Sequence, residues 1–221
     1  MKVALFIPIK LKNQRLPGKN LMELEGKPLC HYIFETVDKL DMIEKKYVFC
    51  SDPQICSYIK GNIEFLQRDK ALDGSEVKGL EIIEAFVNAV DADVYVLTHV
   101  TQPFTKASSI ENALKKVLYE GYDSAFSARV LKDYCWFQGK PLNYNMQDIV
   151  VTQDLEPVYM ETGAFFIFKK EVFKKYHQRI GKTPYLYEVD AYEAIDIDEK
   201  EDFEFAQAAA AYLQRSRIKR N

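Results

Sequence analysis

Apolar residues follow two different spacings along the chain. Short continuous runs rich in β-branched and aromatic residues predict buried strands. Longer segments between them repeat their apolar residues every three or four positions, as one face of a helix does. In the first 131 residues the predicted strands are "KVALFIPI", "KYVFCS", "IEFLQ", "VYVLTH" and "SAFSARV". The pattern therefore predicts strands that alternate with helices.

Two segments carry the helical spacing most clearly. From Glu76 to Val90 the apolar residues fall near one helical face. From Ser108 to Glu120 a second helix is predicted, with a capping box of Ser108 and Glu111 at its start and Gly121 after its end. Apolar strands joined by helical crossovers predict a three-layer α/β fold, in which helices cover both faces of a mostly parallel sheet. Ligands of such folds bind outside the carboxyl ends of the strands.

The periodicity fails between Leu131 and Met160, where aromatic, Pro and Asn residues dominate. This stretch is too long for a plain loop in a compact domain. We predict one domain over residues 1–221, with residues 131–160 as an excursion or small lobe that Trp136 and Tyr144 help to pack. Beyond it the sequence predicts a strand at "GAFFIF", a short helix, a strand near "YLYEV", the run "EAIDID", a helix from about Glu199 to Leu213, and a solvated basic tail, "RSRIKRN".

The composition limits the classes of protein that remain. With 221 residues, 48% of them hydrophobic, the chain can bury a core, which excludes a disordered or fibrous protein. A net charge of -3 gives no overall attraction to nucleic acid or to an anionic membrane, so neither is expected as a partner. No apolar run is long enough to span a bilayer, and "MKVALFIPIK" is too short for a secretory signal. We therefore expect a soluble, cytoplasmic protein.

The four cysteines, Cys30, Cys50, Cys56 and Cys135, contain no C-x-x-C pair. We expect reduced, mostly buried thiols. A zinc site is not expected, because the three histidines do not join the cysteines at the spacing of zinc ligands.

The segment "IPIKLKNQRLPGKN" leaves the first predicted strand and is rich in cations: Lys10, Lys12, Arg15 and Lys19. Cations and backbone amides at the carboxyl end of a strand can bind phosphate. The segment lacks the glycines of G-x-x-x-x-G-K-[ST] and of G-x-G-x-x-G. The alternative is an ordinary solvated loop. Pro17 and Gly18 favour a defined turn that holds the neighbouring cations in place.

A pair of carboxylates stands in "EAIDIDEKEDF", where Asp196 and Asp198 alternate with isoleucines. At strand spacing the two carboxylates face the same side, and a hard cation such as Mg²⁺ relieves their repulsion. In the alternative interpretation Asp198 caps the last helix through a capping box with Glu201, which leaves Asp196 unexplained. Phosphate-binding cations together with carboxylate-held Mg²⁺ are typical of a phosphoryl or nucleotidyl transferase with a nucleoside triphosphate donor.

Several motifs in order resemble a known family. "RLPGKN" (Arg15 to Asn20) is similar to a signature after the first strand, and "HVTQPF" with "SSIENAL" stands where the family has Pro-Thr-Ser-Pro-Leu and a helix. "TQDLEPVYMETGAFFIF" (Thr152 to Phe168) resembles the acceptor segment, and "IDID" resembles the metal-binding pair. Over nearly its full length the chain thus resembles the bacterial acylneuraminate cytidylyltransferases, which are related to CMP-ulosonate synthetases.

The resemblance implies a nucleotidyltransferase fold, CTP as donor, an acidic sugar as acceptor, Mg²⁺ as cofactor, and a protruding segment that helps to build a homodimer. It implies that the catalytic residues are Arg15, Lys19, Asp196 and Asp198, the last two holding the metal. The nucleotide-binding residues that it implies are Lys10, Arg15, Lys19, Ser51, Asp52 and Arg68. The acceptor-binding residues that it implies are His99, Gln153, Tyr159, Glu161, Thr162 and Gly163.

Departures from the family cluster on the acceptor side, where His99, Thr105, Thr152 and Thr162 replace other residue types, and Lys10 replaces an arginine. A core histidine is the alternative interpretation of His99. For the whole chain two alternatives stay open. One is a cytidylyltransferase for another anionic acceptor, such as an ulosonate, a phosphonate or a phosphorylated small molecule. The other is a non-catalytic nucleotide-binding homologue.

Overall fold

The structure is a computed structural model, and it describes residues 1–218. Residues 219–221, which end the predicted basic tail, lie outside the described residues. Within that range the strands are β1 (Val3–Ile9), β2 (Glu23–Leu24), β3 (Lys27–Pro28), β4 (Lys45–Cys50), β5 (Glu64–Gln67), β6 (Val94–Thr98), β7 (Ser124–Leu131), β8 (Trp136–Phe137), β9 (Lys140–Pro141), β10 (Val158–Lys169) and β11 (Pro184–Glu188). The α-helices are α1 (Leu29–Asp38), α2 (Gly79–Ala89), α3 (Ala107–Tyr119), α4 (Lys170–Tyr176) and α5 (Lys200–Ile218).

The central sheet contains seven strands in the order β11-β7-β10-β6-β1-β4-β5. The paired strands run parallel except at β10, which is antiparallel to both β6 and β7. The remaining strands form two small two-stranded sheets, β2-β3 and β8-β9. The predicted α/β fold with a mostly parallel sheet is therefore confirmed.

Helices cover both faces of this sheet. Alternate side chains of β1 point to opposite faces, so that Leu5 and Ile7 lie in one apolar cluster and Ala4 and Phe6 in the other. The first cluster contains buried residues of α1, α3 and α5, and the second contains residues of α2 and α4. Since both faces are covered, the carboxyl ends of the parallel strands remain as the place for a ligand site.

The predicted capping box at the start of α3 is wrong. Ser108 lies inside the helix, which begins at Ala107 without a side-chain cap from its own first turn. The carboxylate of Glu193 caps it instead, since it accepts hydrogen bonds from Lys106 N (2.9 Å) and from Ser109 Oγ (3.1 Å). Glu193 is only 3% exposed, so this contact fixes the segment before α5 against α3.

The end of the chain also differs in its details from the prediction. The first two residues of "EAIDID" lie in a turn and residues 195–198 form no regular element, and α5 continues to Ile218 rather than ending near Leu213. Ile195 and Ile197 are nonetheless buried while Asp196 is exposed, so the alternation itself is confirmed. A hydrogen bond from Ile197 N to Thr101 O, 2.9 Å long, holds this segment beside the carboxyl end of β6.

The excursion carries most of the exposed large hydrophobic side chains of the described residues. Trp136 is 55% exposed and Phe137 62%, and both lie in the short β8-β9 hairpin. Trp136 and Tyr144 meet edge to face with 6.3 Å between ring centroids, so they pack within the excursion. Residues 149 to 151 add three further exposed apolar side chains.

All four cysteines are free thiols, as predicted. Cys30 and Cys50 are buried, whereas Cys56 is exposed and Cys135 half-buried, so the expectation of mostly buried thiols holds for two of them. Within residues 1–218, no helix combines the length and the apolar character needed to cross a membrane.

Candidate active site

The cationic segment folds back on itself directly after β1. Gly18 adopts a left-handed conformation (φ 71°), which glycine reaches at little cost, and a short 3₁₀ turn follows at Lys19–Leu21. Asn20 Nδ2 donates a hydrogen bond of 2.8 Å to Lys10 O, which joins the two ends of the segment. The turn places Lys19 toward the interior, where it is only 7% exposed.

Lys19 and Arg15 converge on one carboxylate. Lys19 Nζ donates hydrogen bonds to Ile197 O (2.7 Å) and to Asp198 Oδ1 (2.9 Å). Arg15 Nη2 lies 2.8 Å from the same Oδ1 atom. The structure thus brings three of the four predicted catalytic side chains into direct contact, although they come from opposite ends of the chain.

Electrostatics at this cluster favour an ionised Asp198. Burial alone would raise the pKa of its carboxyl group, but the hydrogen bond from Lys19 and the charges of Lys19 and Arg15 outweigh burial and hold the pKa below its ordinary value. At neutral pH Asp198 is therefore an anion, which is the form that binds a metal ion or a cation.

Asp198 does not cap the last helix. The carboxylate of Asp202 accepts the hydrogen bonds from Asp198 N (3.0 Å) and Glu199 N (2.8 Å). The capping interpretation of Asp198 is therefore wrong, because its side chain is occupied with Lys19 and Arg15. Asp196, two residues earlier, is exposed, and its Oδ2 lies 3.8 Å from the position that a Cβ atom on Gly163 would take.

A cavity of about 350 Å³ opens at the carboxyl ends of β1 and β6, and its lining includes Gln14, next to Arg15 in the chain, but none of Arg15, Lys19 and Asp198. Phe6, Pro8 and Leu97 form its floor on the face of the sheet that α2 covers, and the loop before α2 forms one wall. Lys10 and Arg68 lie at the side of β1, and His99 and Arg179 lie at the side of β6 and β10. The full lining is Phe6, Pro8, Lys10, Gln14, Arg68, Leu72, Gly74, Ser75, Val77, Gly79, Ile82, Ile83, Leu97, His99 and Arg179.

Arg68 belongs to an internal network at the edge of this cavity. Its Nη2 atom donates to Asp73 Oδ1 (2.5 Å) and to Ile9 O (3.1 Å), and it is only 3% exposed. Ser51 Oγ donates to the other oxygen of Asp73 (2.5 Å). The ion pair of Arg68 and Asp73 neutralises much of the arginine charge. The hydrogen bond from Arg68 to Ile9 O fixes the loop after β5 to the end of β1.

Asp52 has a local role in the structure. Its carboxylate accepts a hydrogen bond from Gln54 N (2.9 Å) and caps the short helical turn Pro53–Ser57. Ser51 and Asp52 both follow the carboxyl end of β4, but neither lines the cavity. Their contact with a nucleotide remains a prediction.

His99 lies at the carboxyl end of β6, half-buried beside Gly163. Its Nδ1 atom is 2.7 Å from Gly163 O, and its ring meets Phe166 edge to face at 6.5 Å. Burial is the main cause that lowers its pKa, and the charge of Arg179 adds to this, while the Gly163 contact and the charge of Asp196 act in the opposite direction. At neutral pH His99 is therefore uncharged and lines the cavity as a polar group.

β10 contains an irregularity within the segment that is predicted to bind the acceptor. Glu161 pairs with Ala128 and Phe166 pairs with Phe126. Between these two pairs β10 advances by five residues and β7 by only two, so β10 contains a bulge. Thr162 Oγ1 donates to Ser127 Oγ (2.8 Å), and Phe165 N donates to the same oxygen (3.1 Å). Thr162 is buried in this bulge, and the structure gives it a structural role rather than a place in the cavity.

The other predicted acceptor residues are scattered. Gln153 is exposed in the 3₁₀ turn Thr152–Asp154, and Tyr159 is 52% exposed near the start of β10. Neither lines the cavity. Glu161 reaches it indirectly, because its Oε1 atom lies 2.8 Å from Nη2 of Arg179, a cavity residue.

Sequence reasoning missed two side chains at this end. Arg179 stacks 3.6 Å from the centroid of Phe166, and its loop carries no motif that could have singled it out. Gln102 is 1% exposed, and among the described residues its Oε1 atom has no hydrogen-bond partner. Its Nε2 atom would lie 3.0 Å from a Cβ atom on Gly163, so a side chain at position 163 would disturb it. The quoted "HVTQPF" motif contains Gln102, but nothing in the pattern predicts its burial.

The cation-carboxylate cluster lies at the carboxyl end of a mostly parallel α/β sheet, where ligands of such folds bind. The chain belongs to the cytidylyltransferase family, which it matches over residues 4–218.

Curated relatives of the chain are named as cytidylyltransferases for N-acylneuraminate or for 3-deoxy-manno-octulosonate. The chain is 26% identical over 92% of its length to an N-acylneuraminate cytidylyltransferase of Streptococcus agalactiae serotype V, and 27% identical over 98% of its length to that of Escherichia coli O18:K1:H7. It spans about half of these relatives, 52% and 54% of their lengths. It is 24% identical over 84% of its length to a 3-deoxy-manno-octulosonate cytidylyltransferase of Acaryochloris marina and covers 80% of that protein.

Solved structures share the fold. A CMP:2-keto-3-deoxy-manno-octonic acid synthetase complexed with CTP superposes with a TM-score of 0.72 at 16% identity, over 96% of this chain and 99% of that one. The 4-diphosphocytidyl-2C-methyl-D-erythritol synthase of Anaerococcus prevotii gives a TM-score of 0.65 at 17% identity, over 96% of each chain.

Proposed function

We propose that this protein transfers CMP from CTP to an acidic sugar of the N-acylneuraminate type and releases pyrophosphate. The observation that carries the proposal is the cluster of Lys19, Arg15 and Asp198, in which the cationic loop after β1 meets the segment before α5. Family membership and the named relatives support the donor and the class of acceptor.

The cations of the first loop address the central difficulty of this reaction, which is the approach of an anionic acceptor to an anionic triphosphate. The acceptor hydroxyl bonds to the α-phosphorus as the bond to pyrophosphate breaks, so negative charge grows on the leaving group. In this proposal Lys10, Arg15 and Lys19 stabilise that charge. Lys19 is already oriented, because its two hydrogen bonds hold its ammonium group at the cluster.

Asp196 and Asp198 form a donor set that fits Mg²⁺. Mg²⁺ prefers one or two carboxylates and takes its remaining oxygens from phosphates and water. Asp198 Oδ1 is occupied by Lys19 and Arg15, which leaves Oδ2 for a metal ion. Asp196 is exposed two residues earlier in the chain. When bound, Mg²⁺ would neutralise the triphosphate and polarise the reacting phosphorus.

The acceptor itself has two candidates. Similarity to the longer relatives favours an N-acylneuraminate as the acceptor. Similarity to the octulosonate enzyme of Acaryochloris marina favours an eight-carbon ulosonate, and the chain covers 80% of that enzyme's length. Both are acidic sugars, so both present a carboxylate and a hydroxyl to the cavity.

We also propose that the excursion mediates a homodimer. The excursion, including the start of β10, exposes ten large apolar side chains, as interaction surfaces do: Tyr134, Trp136, Phe137, Leu142, Met146, Ile149, Val150, Val151, Tyr159 and Met160. A dimer in light scattering that Phe137→Ser and Ile149→Ser convert to monomer would support this, and a wild-type monomer would contradict it.

The test of function is a pyrophosphate-release assay with purified protein, Mg²⁺ and each of the four nucleoside triphosphates, with and without N-acylneuraminate or 3-deoxy-manno-octulosonate. Release with CTP that depends on one of these acids is expected. Release that needs no acceptor, or none with any pair, would contradict the proposal.

The metal assignment has its own variant. Asp196→Ala should abolish Mg²⁺-dependent turnover and leave the fold intact, while Asp41→Ala, an exposed carboxylate after α1, should behave as wild type. Full turnover by Asp196→Ala at the same Mg²⁺ concentration would count against the assignment.

A further inference from the structure

Arg179 lies in the loop between α4 and β11, which the sequence analysis did not connect with function. It lines the same cavity as Lys10 and His99. Its guanidinium group stacks 3.6 Å from the centroid of Phe166, and its Nη2 atom lies 2.8 Å from Glu161 Oε1. Both partners belong to β10, so Arg179 bridges its own loop and the strand that carries the acceptor motif.

The loop that carries Arg179 is firmly anchored. Gly181 N donates to Ser124 Oγ (2.8 Å), and the amides of Lys182 and Thr183 donate to Asp123 Oδ2 (2.7 and 3.1 Å). A Cβ atom on Gly181 would collide with the Asp123 carboxylate, so the close approach of this loop to β7 requires glycine. Because the backbone is fixed and the side chain is stacked, the guanidinium group is held in one orientation.

The strand order separates the two ends of the cavity. Arg68 and Lys10 lie at the β5 and β1 side, β6 comes next, and Phe166 with Arg179 lies beyond it on β10. Arg68 forms an ion pair with Asp73. Arg179 forms an ion pair with the half-exposed Glu161 through only one of its nitrogen atoms, Nη2. A guanidinium group has five N–H donors in a plane, so most of those on Arg179 remain for a second carboxylate.

Arg179 and His99 line the same cavity on the side of β6 and β10. His99 feels the charges of both Asp196 and Arg179, and its Nδ1 contacts Gly163 O. Gly163 in turn is a neighbour of Asp196. A sugar bound over Gly163 would therefore lie between the carboxylate proposed for the metal and the guanidinium group.

We propose that Arg179 is a specificity-determining residue that binds the carboxylate of the acidic sugar, with Glu161 and Phe166 orienting its guanidinium group. This inference rests on the proposed function. It explains why an acidic sugar would be chosen over a neutral one: a neutral acceptor leaves the oriented cation with only Glu161 as its anionic partner.

The test compares the acid that wild type accepts, N-acylneuraminate or 3-deoxy-manno-octulosonate, with its C1 amide, which has the same shape and no charge. Wild type should prefer the acid by roughly tenfold to a hundredfold in kcat/KM. Arg179→Gln should raise the KM for the acid by about the same factor and abolish the preference, with the KM for CTP changed less than about threefold. Arg179→Lys keeps the charge without the planar donors and should restore part of the preference.

The matched control is Lys182→Gln on the same loop. Lys182 is exposed, and its Nζ atom lies over the ring of Tyr176, 5.3 Å from the centroid, rather than in the cavity. It should leave both KM values unchanged. If Arg179→Gln does not fold, Arg179→Lys still carries the comparison, because it preserves the packing on Phe166.

The outcomes separate the two proposals. If wild type turns over an acid and Arg179→Gln keeps the full preference over the amide, or raises the KM for CTP instead, the role of Arg179 is refuted and the function stands. If wild type shows no acceptor-dependent pyrophosphate release with any acidic sugar, both are refuted.

Discussion

The ammonium group of Lys19 lies 2.9 Å from Oδ1 of Asp198, 179 residues later in the chain. The contact joins the loop after the first strand to the segment before the last helix. Because Lys19 is almost fully buried, it must keep ionic or polar partners, and the carbonyl oxygen of Ile197 is its second one. One side chain therefore links the cationic loop after β1 to the carboxylates that we propose for the metal.

Replacing Lys19 by Met should impair stability and activity together. The carbonyl of Ile197 loses its buried donor, so the free energy of unfolding should fall by about 1–3 kcal/mol. Loss of a cation directed at the triphosphate should lower kcat/KM for CTP by roughly a hundredfold to a thousandfold. Urea unfolding and the pyrophosphate assay measure the two effects.

Lys12→Met is the matched control, since Lys12 belongs to the same segment but is exposed. It should match wild type in both assays. If the Lys12 and Lys19 variants lost equal activity, the loop would act through its general charge, and the specific role of Lys19 would be refuted.

Variants of the neighbouring residues Asp198 and Asp202 should distinguish a role in catalysis from a role in helix capping. Asp202 caps the start of α5, so Asp202→Ala should lower the free energy of unfolding by about 1 kcal/mol and leave kcat near wild type. Asp198→Ala removes the partner of Lys19 and Arg15, and should abolish turnover with Mg²⁺. Denaturant titration and steady-state kinetics on both variants test this, and a large loss of kcat in Asp202→Ala alone would contradict it.

Much of the fold follows from local pattern, and the capping of α5 shows where local pattern stops. Alternation predicted correctly that Asp196 faces outward while Ile197 is buried, because burial at period two depends only on neighbouring residues. Of the four acidic residues at positions 198–202, Asp198, Glu201 and Asp202 all satisfy the rules for a cap. Lys19 decides between them by binding Asp198, and no local rule contains that contact.

The acceptor side was harder to predict for the same reason. Glu161 and Gly163 stand in the motif, but the residues that define their surroundings come from elsewhere: Ser127 pins the bulge and Arg179 pairs with Glu161. Thr162 also belongs to the motif, yet the bulge turns it into the sheet. A motif gives residue types in order, whereas the extra residues in β10 decide which of them reach the cavity.

His99 should make the protein less stable in mild acid. Burial chiefly lowers its pKa in the folded state, so the unfolded chain, with a pKa of about 6.5, binds the proton more readily. Stability is therefore unaffected above about pH 6.5 and falls by up to about 1.4 kcal/mol for each pH unit below it, until the folded state also takes up the proton. His99→Gln should remove this part of the pH dependence.

The measurement is the free energy of unfolding between pH 7.5 and 5.5 for wild type, His99→Gln and His177→Asn. His177 is exposed with φ 51°, a conformation that Asn tolerates, so this variant should keep the wild-type slope. The lowered pKa of His31 contributes equally to all three proteins. Identical slopes for wild type and His99→Gln would show that His99 is not the group responsible.

Glu193 should contribute more to the free energy of unfolding than its place in a connecting segment indicates. Its carboxylate is buried at the positive end of α3 and accepts hydrogen bonds from Lys106 N and Ser109 Oγ. Glu193→Ala leaves both donors without their partner and should lower the free energy of unfolding by about 1–3 kcal/mol. Glu188→Ala, at the exposed end of β11, is the control and should change it by less than about 0.5 kcal/mol.

Because Glu193 also fixes the segment that leads to Asp196, we expect the kcat of Glu193→Ala to fall while that of Glu188→Ala does not. Equal stability of the two variants would mean that α3 does not depend on this cap.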